Sequence, residues 1–326
     1  MIISRTPLRM SFVGGGSDLP SFYRAHGGAV ISTAIDKYIY INVNAKFDNG
    51  IRIAYSKNEE VKRVGDIEHR LVKAVMEHLE IEGGVEITSI ADIPSHGTGL
   101  GSSSSFTVGL LNALSAFKGN YISSEKLGID SCKIEIDICH EPIGKQDQYA
   151  AAFGGFNLIE FLKNDTVVVS PVICQQDTIK EIESNILVFY TGITRSASSL
   201  LIQQSDNIRN DELKQKNMIK MVELTYQLLN ELQNNNTKVF GDILHENWLL
   251  KKGITDNISN SFIDECYSAA LKAGATGGKI LGAGAGGFLM VYAPKGAHKK
   301  ITAALHKLQK IEMGFEPLGS RIIFYH

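Results

Sequence analysis

The sequence predicts an α+β fold. Strand-like stretches are interrupted by helical patterns at irregular intervals, without a regular strand–helix beat. Hairpin-like strand pairs occur early in the chain. The part beginning near Ser170 changes character and is rich in helical patterns. A chain of 326 residues is long enough for two domains. A boundary near residue 175 is expected, giving 1–175 and 176–326.

Taken in order, residues 2–13 alternate as a strand does, and Gly14-Gly15-Gly16 breaks it. Ser17-Asp18-Leu19-Pro20 suits a helix start, with Ser17 as cap and Pro20 in the first turn. Residues 29–45 are rich in Ile, Val and Tyr and read as a long strand or a strand pair; 51–55 reads as another. Ile67, Leu71, Val75 and Leu79 form one stripe of a helix over 67–80, capped by Asp66. Residues 85–90 alternate like a strand, and 106–117 are apolar at helical spacing. Residues 124–140 predict a second helix, apolar nearly all round and therefore buried. Its remaining face carries Gly128, Ser131 and Glu135. Pro142 and Gly144 stop it, and 144–148 form a polar island.

Strands are expected at 156–162, 166–170 and 186–191. Helices are expected at 211–233, 238–251 and 259–273, the last closed by Gly274. A glycine loop over 279–287 runs into a strand at 288–292. A helix over 297–310 and a strand over 321–325 end the chain.

Composition narrows the function. With 33 basic and 35 acidic residues the net charge is −2, so nucleic acid and anionic membrane surfaces are not expected partners. No apolar run approaches the ~20 residues of a membrane span. The N-terminus lacks a signal-peptide core. The four cysteines form no Cys-x-x-Cys pair and read as buried thiols of a reducing compartment, so a cytoplasmic protein is expected. The nine histidines show no ligand spacing, so no transition-metal site is expected.

The chemistry concentrates in Pro94-Ser95-His96-Gly97-Thr98-Gly99-Leu100-Gly101-Ser102-Ser103-Ser104-Ser105. Strand, glycine-rich loop and helix follow one another here. Glycines let backbone amides approach a ligand, and a helix start adds free N–H groups and a positive dipole end. Together they suit a phosphate. The serine hydroxyls can bond phosphate oxygens or ligate a hard cation. A plain loop with Ser102 as helix cap is the simpler alternative. No lysine follows the glycines, so this is not a Walker A loop. Gly282, Gly284 and Gly287 satisfy Gly-x-Gly-x-x-Gly, but they precede a strand, so a nicotinamide site is rejected.

Four further residues stand out. Arg9 lies on the first strand and can point either way. Asp18 is a helix-start carboxylate or an acceptor for sugar hydroxyls. Asp147, in the polar island, is the candidate for proton chemistry, with a helix-capping role as alternative. Glu135 is a carboxylate on a small-residue face, with pairing to Lys133 or an arginine as alternative.

Three motifs in order resemble the GHMP kinases: Arg5-Thr6-Pro7-Leu8-Arg9 through Gly14-Gly15-Gly16-Ser17-Asp18, Pro94 to Ser104, and Lys279 to Gly287. The resemblance spans the chain. It implies a ribosomal-protein-type β-α N-terminal domain joined to a ferredoxin-like C-terminal domain. It implies ATP and Mg2+ as cofactors and a small-molecule sugar phosphate as partner; a homodimer is left open. By this resemblance Gly97, Thr98, Gly99, Leu100, Gly101, Ser102, Ser103 and Ser104 wrap the nucleotide phosphates. Ser103 and Glu135 hold the metal, while Ser102 and Ser104 keep backbone and cap roles. Asp147 is the catalytic base, and Arg9 faces the transferred phosphoryl group. Gly15, Gly16, Ser17, Asp18 and Gly284 lie at the substrate.

Galactokinases have Glu-His where this chain has Gly15-Gly16, which opens space in the sugar site. The N-terminal string, with Glu141 to Ala151, most resembles the heptose 7-phosphate kinase branch. That branch phosphorylates an anomeric hydroxyl on the way to nucleotide-activated heptose for surface glycans. A basic clamp for the 7-phosphate is then needed, with Arg195 as candidate and Arg5 and Lys145 behind it. The rivals are a kinase for fucose or unphosphorylated heptose, and a catalytically silent sensor of sugar and nucleotide.

Overall fold

The computed structural model describes residues 1–93, 97–194 and 197–326. The N-terminal half builds one sheet from β1 (Ile2–Val13), β2 (Gly28–Ala45), β3 (Ile51–Ala54), β4 (Asn58–Val61), β5 (Val85–Ala91), β6 (Phe156–Phe161) and β7 (Val167–Pro171). The second sheet holds β8 (Ile186–Tyr190), β9 (Gly277–Ile280), β10 (Phe288–Tyr292) and β11 (Gln309–Ile311), while β12 (Arg321–Tyr325) returns to the first. The helices are α1 (Pro20–His26), α2 (Arg70–His78), α3 (Ser102–Phe117), α4 (Ser124–Cys132), α5 (Gln146–Phe153), α6 (Gln176–Asn185), α7 (Ala197–Asn210), α8 (Glu212–Gln233), α9 (Phe240–Lys252), α10 (Ser261–Lys272) and α11 (His298–Ala304). The expected α+β class is what the chain adopts. Among the described residues no helix is long and apolar enough to cross a membrane.

In the first sheet β2 is one continuous strand, longer than its neighbours. Its start pairs with β6 and its end with β5, and β1 runs antiparallel beside both parts. The last strand lies along the outer edge of β1, with Ile2 opposite Tyr325. The second sheet has the order β11-β8-β10-β9 and is antiparallel. In sequence this is fourth, first, third, second, with helices between the first and second and between the third and fourth. That is the ferredoxin-like arrangement expected of the C-terminal part.

Packing seats α3 against β1. Val108, Leu110, Leu111, Ala113 and Leu114 are fully buried. Gly109 makes the close approach possible: a Cβ there would lie 2.7 Å from Thr6 Oγ1. The Ser4 hydroxyl donates to the Gly109 carbonyl at 2.8 Å, and Ser105 Oγ to the Pro7 carbonyl at 2.9 Å. These contacts hold the start of α3 against the middle of β1, where Arg9 sits. Phe12 packs edge-on against Phe156 and Phe240, so the core continues from the first sheet into the later helices.

Several local expectations are corrected. Residues 124–140 are not one regular helix: α4 ends at Cys132 and the chain widens into a π-helical turn over Lys133–Ile138. Ile129 and Ile138 are exposed, so that segment is not buried all round. Asp66 does not cap α2; it pairs with Arg63, and the His69 ring accepts from the Val72 N–H instead. Ser17 does not cap α1, because its hydroxyl is held by the backbone of Ala29. The segment 297–310 splits into the short α11 and strand β11, since Gln309 to Ile311 complete the sheet beside β8. Of the cysteines, Cys174 and Cys266 are only half-buried.

Candidate active site

The site is built where two glycine loops meet. Gly99 and Gly101 adopt positive φ, +77° and +76°. A Cβ on Gly99 would fall 2.2 Å from the Leu281 carbonyl oxygen, and one on Gly282 would fall 2.4 Å from Gly99 Cα. Only paired glycines allow this approach. The loop that failed the dinucleotide context thus serves as a brace for the first one. Gly101 precedes the first residue of α3, so Ser102 is the first helical residue and not the cap.

Arg9 is buried and faces this loop. Its Nε donates to Asp147 Oδ1 and its Nη2 to Asp147 Oδ2, both at 2.7 Å; Nη1 donates to the Gly99 carbonyl at 2.6 Å. The Arg9 N–H also donates to the Leu100 carbonyl at 3.0 Å. A fork of two parallel charged bonds is strong and sets the carboxylate's plane. Asp147 sits in the first turn of α5, not in a free loop, and remains partly exposed toward the cavity.

Glu135 sits behind the start of α3, fully buried on the π-helical turn. Wide turns of this kind recur at functional sites. Its carboxylate accepts from Ser103 Oγ at 3.1 Å, Ser104 Oγ at 2.7 Å, Thr107 Oγ1 at 3.1 Å and Gln148 Nε2 at 2.5 Å. The alternative pairing with Lys133 or an arginine is not what these bonds show. Burial pushes the carboxyl up to about 7, against the pull of its four bonds. Ser103 is exposed to the cavity, whereas Ser104 is buried and as tightly bound to Glu135. The expected backbone-and-cap role for Ser104 is therefore corrected to carboxylate support.

Asp18 lies at the floor of the same cavity. Its Oδ1 accepts from the Gly16 N–H at 3.0 Å and Gln146 Nε2 at 3.1 Å, and its Oδ2 accepts from the Gln146 N–H at 3.2 Å. Burial, then the charge of Asp147, raises its pKa. The cavity holds about 510 Å3 and is lined by Arg9, Gly16, Asp18, Asp147, the loop from Gly97 to Gly101 without Leu100, and Ser102 to Ser104.

Other expected residues fall elsewhere. Leu100 is packed in the core. Ser17 is fully buried on Ala29. Gly284 packs on Ile258, since a Cβ there would lie 2.7 Å from the Ile258 carbonyl oxygen; it is Gly282 and Ala283 that reach the cavity. Gly15 does not line the cavity itself; a Cβ there would lie 3.7 Å from Lys251 Nζ. Arg195 lies outside the described residues. Arg5 stacks on Tyr38 and pairs with Glu316, and Lys145 bonds Asp165, so neither lines the cavity.

Sequence reasoning missed Lys251 and Gln204. Lys251 ends the expected helix at 238–251, where a lysine is ordinary. In the fold it is buried, lines the cavity and donates to the Gly282 carbonyl at 3.0 Å. Burial pulls its pKa down to about 8. Gln204 is on α7, which carried no expectation.

Comparison with known proteins gives this geometry its class. Residues 68–155 match the N-terminal domain of the GHMP kinases and residues 228–310 their C-terminal domain, between them more than half of the chain. A D-glycero-alpha-D-manno-heptose 7-phosphate kinase from Campylobacter jejuni is 28% identical over 94% of both chains. A galactokinase from Pyrococcus furiosus is 27% identical over 93% of this chain and 92% of its own. The crystal structure of a D-glycero-D-manno-heptose 1-phosphate kinase from Bacteroides thetaiotaomicron superposes with a TM-score of 0.82, at 26% identity and full coverage of both chains. The protein is an ATP-dependent phosphotransferase with an alcohol group as acceptor, a sugar kinase. It belongs to the GHMP kinase family.

Proposed function

We propose that this kinase transfers the γ-phosphoryl group of ATP to the anomeric hydroxyl of D-glycero-D-manno-heptose 7-phosphate, giving the 1,7-bisphosphate. The observation that carries the reading is the Arg9–Asp147 fork set beside the glycine loop and open to the cavity. The sugar follows from the Campylobacter relative. The Bacteroides structure names the 1-phosphate, so the two names share the heptose and differ in the phosphate position.

Phosphoryl transfer needs alignment and charge neutralisation more than covalent chemistry. Gly97 to Ser104 cradle the ATP phosphates at the start of α3, where N–H groups and the dipole favour anions. Asp147 keeps lone pairs free beside its two bonds to Arg9 and takes the proton of the attacking hydroxyl. Arg9 holds that carboxylate in place and offsets charge on the transferred group. Asp18 accepts from sugar hydroxyls.

Mg2+ belongs to the reading. The residues present fit it: Ser103 Oγ and the Glu135 carboxylate supply hard oxygens 3.1 Å apart at the phosphate loop. Among the described residues no group of three or more His, Cys, Asp or Glu side chains could hold a metal ion, but Mg2+ takes one or two carboxylates plus substrate phosphates. Bridging and neutralising phosphate oxygens is the chemistry it supplies when bound.

The reading divides the chain into 1–175 and 176–326, with β12 lent back to the first sheet. It sets the enzyme in the cytoplasm, making heptose bisphosphate for surface glycans. The deciding experiment is ADP release with heptose 7-phosphate, free heptose, fucose, mannose and galactose. Preferred turnover of heptose 7-phosphate to a product carrying a C1 phosphate supports it. Preference for an unphosphorylated sugar overturns the substrate, and no sugar-stimulated turnover at all overturns the kinase reading in favour of a sensor.

A further inference from the structure

We infer that Lys251 and Gln204, above Gly15-Gly16, form the receptor for the phosphate already on the sugar; this rests on the proposed function. Lys251 Nζ carries three donors. One goes to the Gly282 carbonyl at 3.0 Å, and no other hydrogen bond to it is formed among the described residues. The ammonium is buried and lines the cavity. Gln204 is equally buried and lines the same cavity, and its Nε2 has no partner among the described residues. An unpaired buried donor is costly unless a ligand satisfies it.

The two donors converge on one dipeptide. A Cβ on Gly15 would lie 3.7 Å from Lys251 Nζ, and a Cβ on Gly16 would lie 2.1 Å from Gln204 Nε2. Gln146 Nε2 approaches the Gly15 position at 3.9 Å but is bonded to Asp18. Ser11 Oγ, also 3.7 Å from the Gly15 Cβ position, and Gln146 Oε1 lack partners among the described residues too, but the one charge among these groups is the Lys251 ammonium. A buried ammonium with unspent donors favours an oxyanion over a neutral hydroxyl. The other cation among the described lining residues, Arg9, is held by Asp147 and the Gly99 carbonyl. Asp147, Asp18 and Glu141 line the cavity too, but Asp147 is bound to Arg9, Asp18 to Gly16 and Gln146, and Glu141 to Arg70. The missing side chains at 15 and 16 leave Lys251 and Gln204 the room they occupy.

The test compares kcat/KM for heptose 7-phosphate and free heptose, and KM for ATP, in wild type, Lys251→Met and Gly15→Ala. The wild type should prefer the 7-phosphate. In Lys251→Met that preference should fall about 10- to 100-fold, mostly through the sugar KM, as for loss of a charged hydrogen bond. Gly15 needs no positive φ and has no atom within 3.7 Å of its Cβ position, so Gly15→Ala should fold and still raise the KM for the 7-phosphate. It decides the matter if Lys251→Met does not fold. An unchanged preference in both variants, or equal losses on both sugars with a raised ATP KM, would overturn the receptor while leaving the kinase reading intact. Absence of 7-phosphate turnover in the wild type would overturn the reading beneath it and the receptor with it.

Discussion

Arg9 and Asp147 are 138 residues apart in the chain and meet through two bonds of 2.7 Å each. One comes from the middle of β1, the other from the first turn of α5. The start of α3 lies against both, because a Cβ on Gly101 would lie 3.2 Å from Asp147 Oδ2 and 3.3 Å from Arg9 Cγ.

Asp147→Asn removes the base and keeps the shape. Turnover should fall about a hundred- to ten-thousand-fold, the usual worth of a positioned general base. ATP binding, followed by calorimetry, should stay within a few fold. Normal turnover in this variant would remove Asp147 as base.

Glu135→Gln keeps the buried bonding partners largely served but lowers the charge behind Ser103. The Mg2+ concentration for half-maximal activity should rise at least about tenfold, the loss seen when even a supporting group around a metal is removed. A Mg2+ titration superimposable on the wild type would count against Glu135 as a ligand.

Gly99→Ala and Gly282→Ala each force a Cβ into the facing loop at positive φ. Each should cost about 1–3 kcal/mol of stability and raise the KM for ATP. Thermal melts and ATP titrations check both; unaltered melting would mean the loops do not brace one another.

Lys251→Met should stabilise the ligand-free protein at pH 7. The folded pKa of this lysine is about 8, against 10.5 when exposed. Between those values the unfolded chain holds the extra proton, so wild-type stability from this group rises with pH. The advantage of Lys251→Met should therefore shrink as pH climbs from about 8 to 10.5. Melting curves across that range would show it, and a constant difference would refute a charged, buried Lys251.

The sequence alone determined the glycine loop and the helix it opens, most strands, and the three carboxylates Asp18, Glu135 and Asp147. These are local: periodicity, glycine spacing and polar residues set among apolar ones are readable within a dozen positions. The tertiary structure decided the rest. It made Ser104 a partner of Glu135, moved Gly284 out of the cavity in favour of Gly282, and turned the final helix partly into β11. It also brought Lys251 and Gln204, ordinary residues on ordinary helices, to Gly15-Gly16. Burial and the direction a side chain faces depend on elements hundreds of residues apart, and no local pattern encodes them. A lysine at the end of a helix becomes an anion site only when other elements close around it and leave its donors unspent.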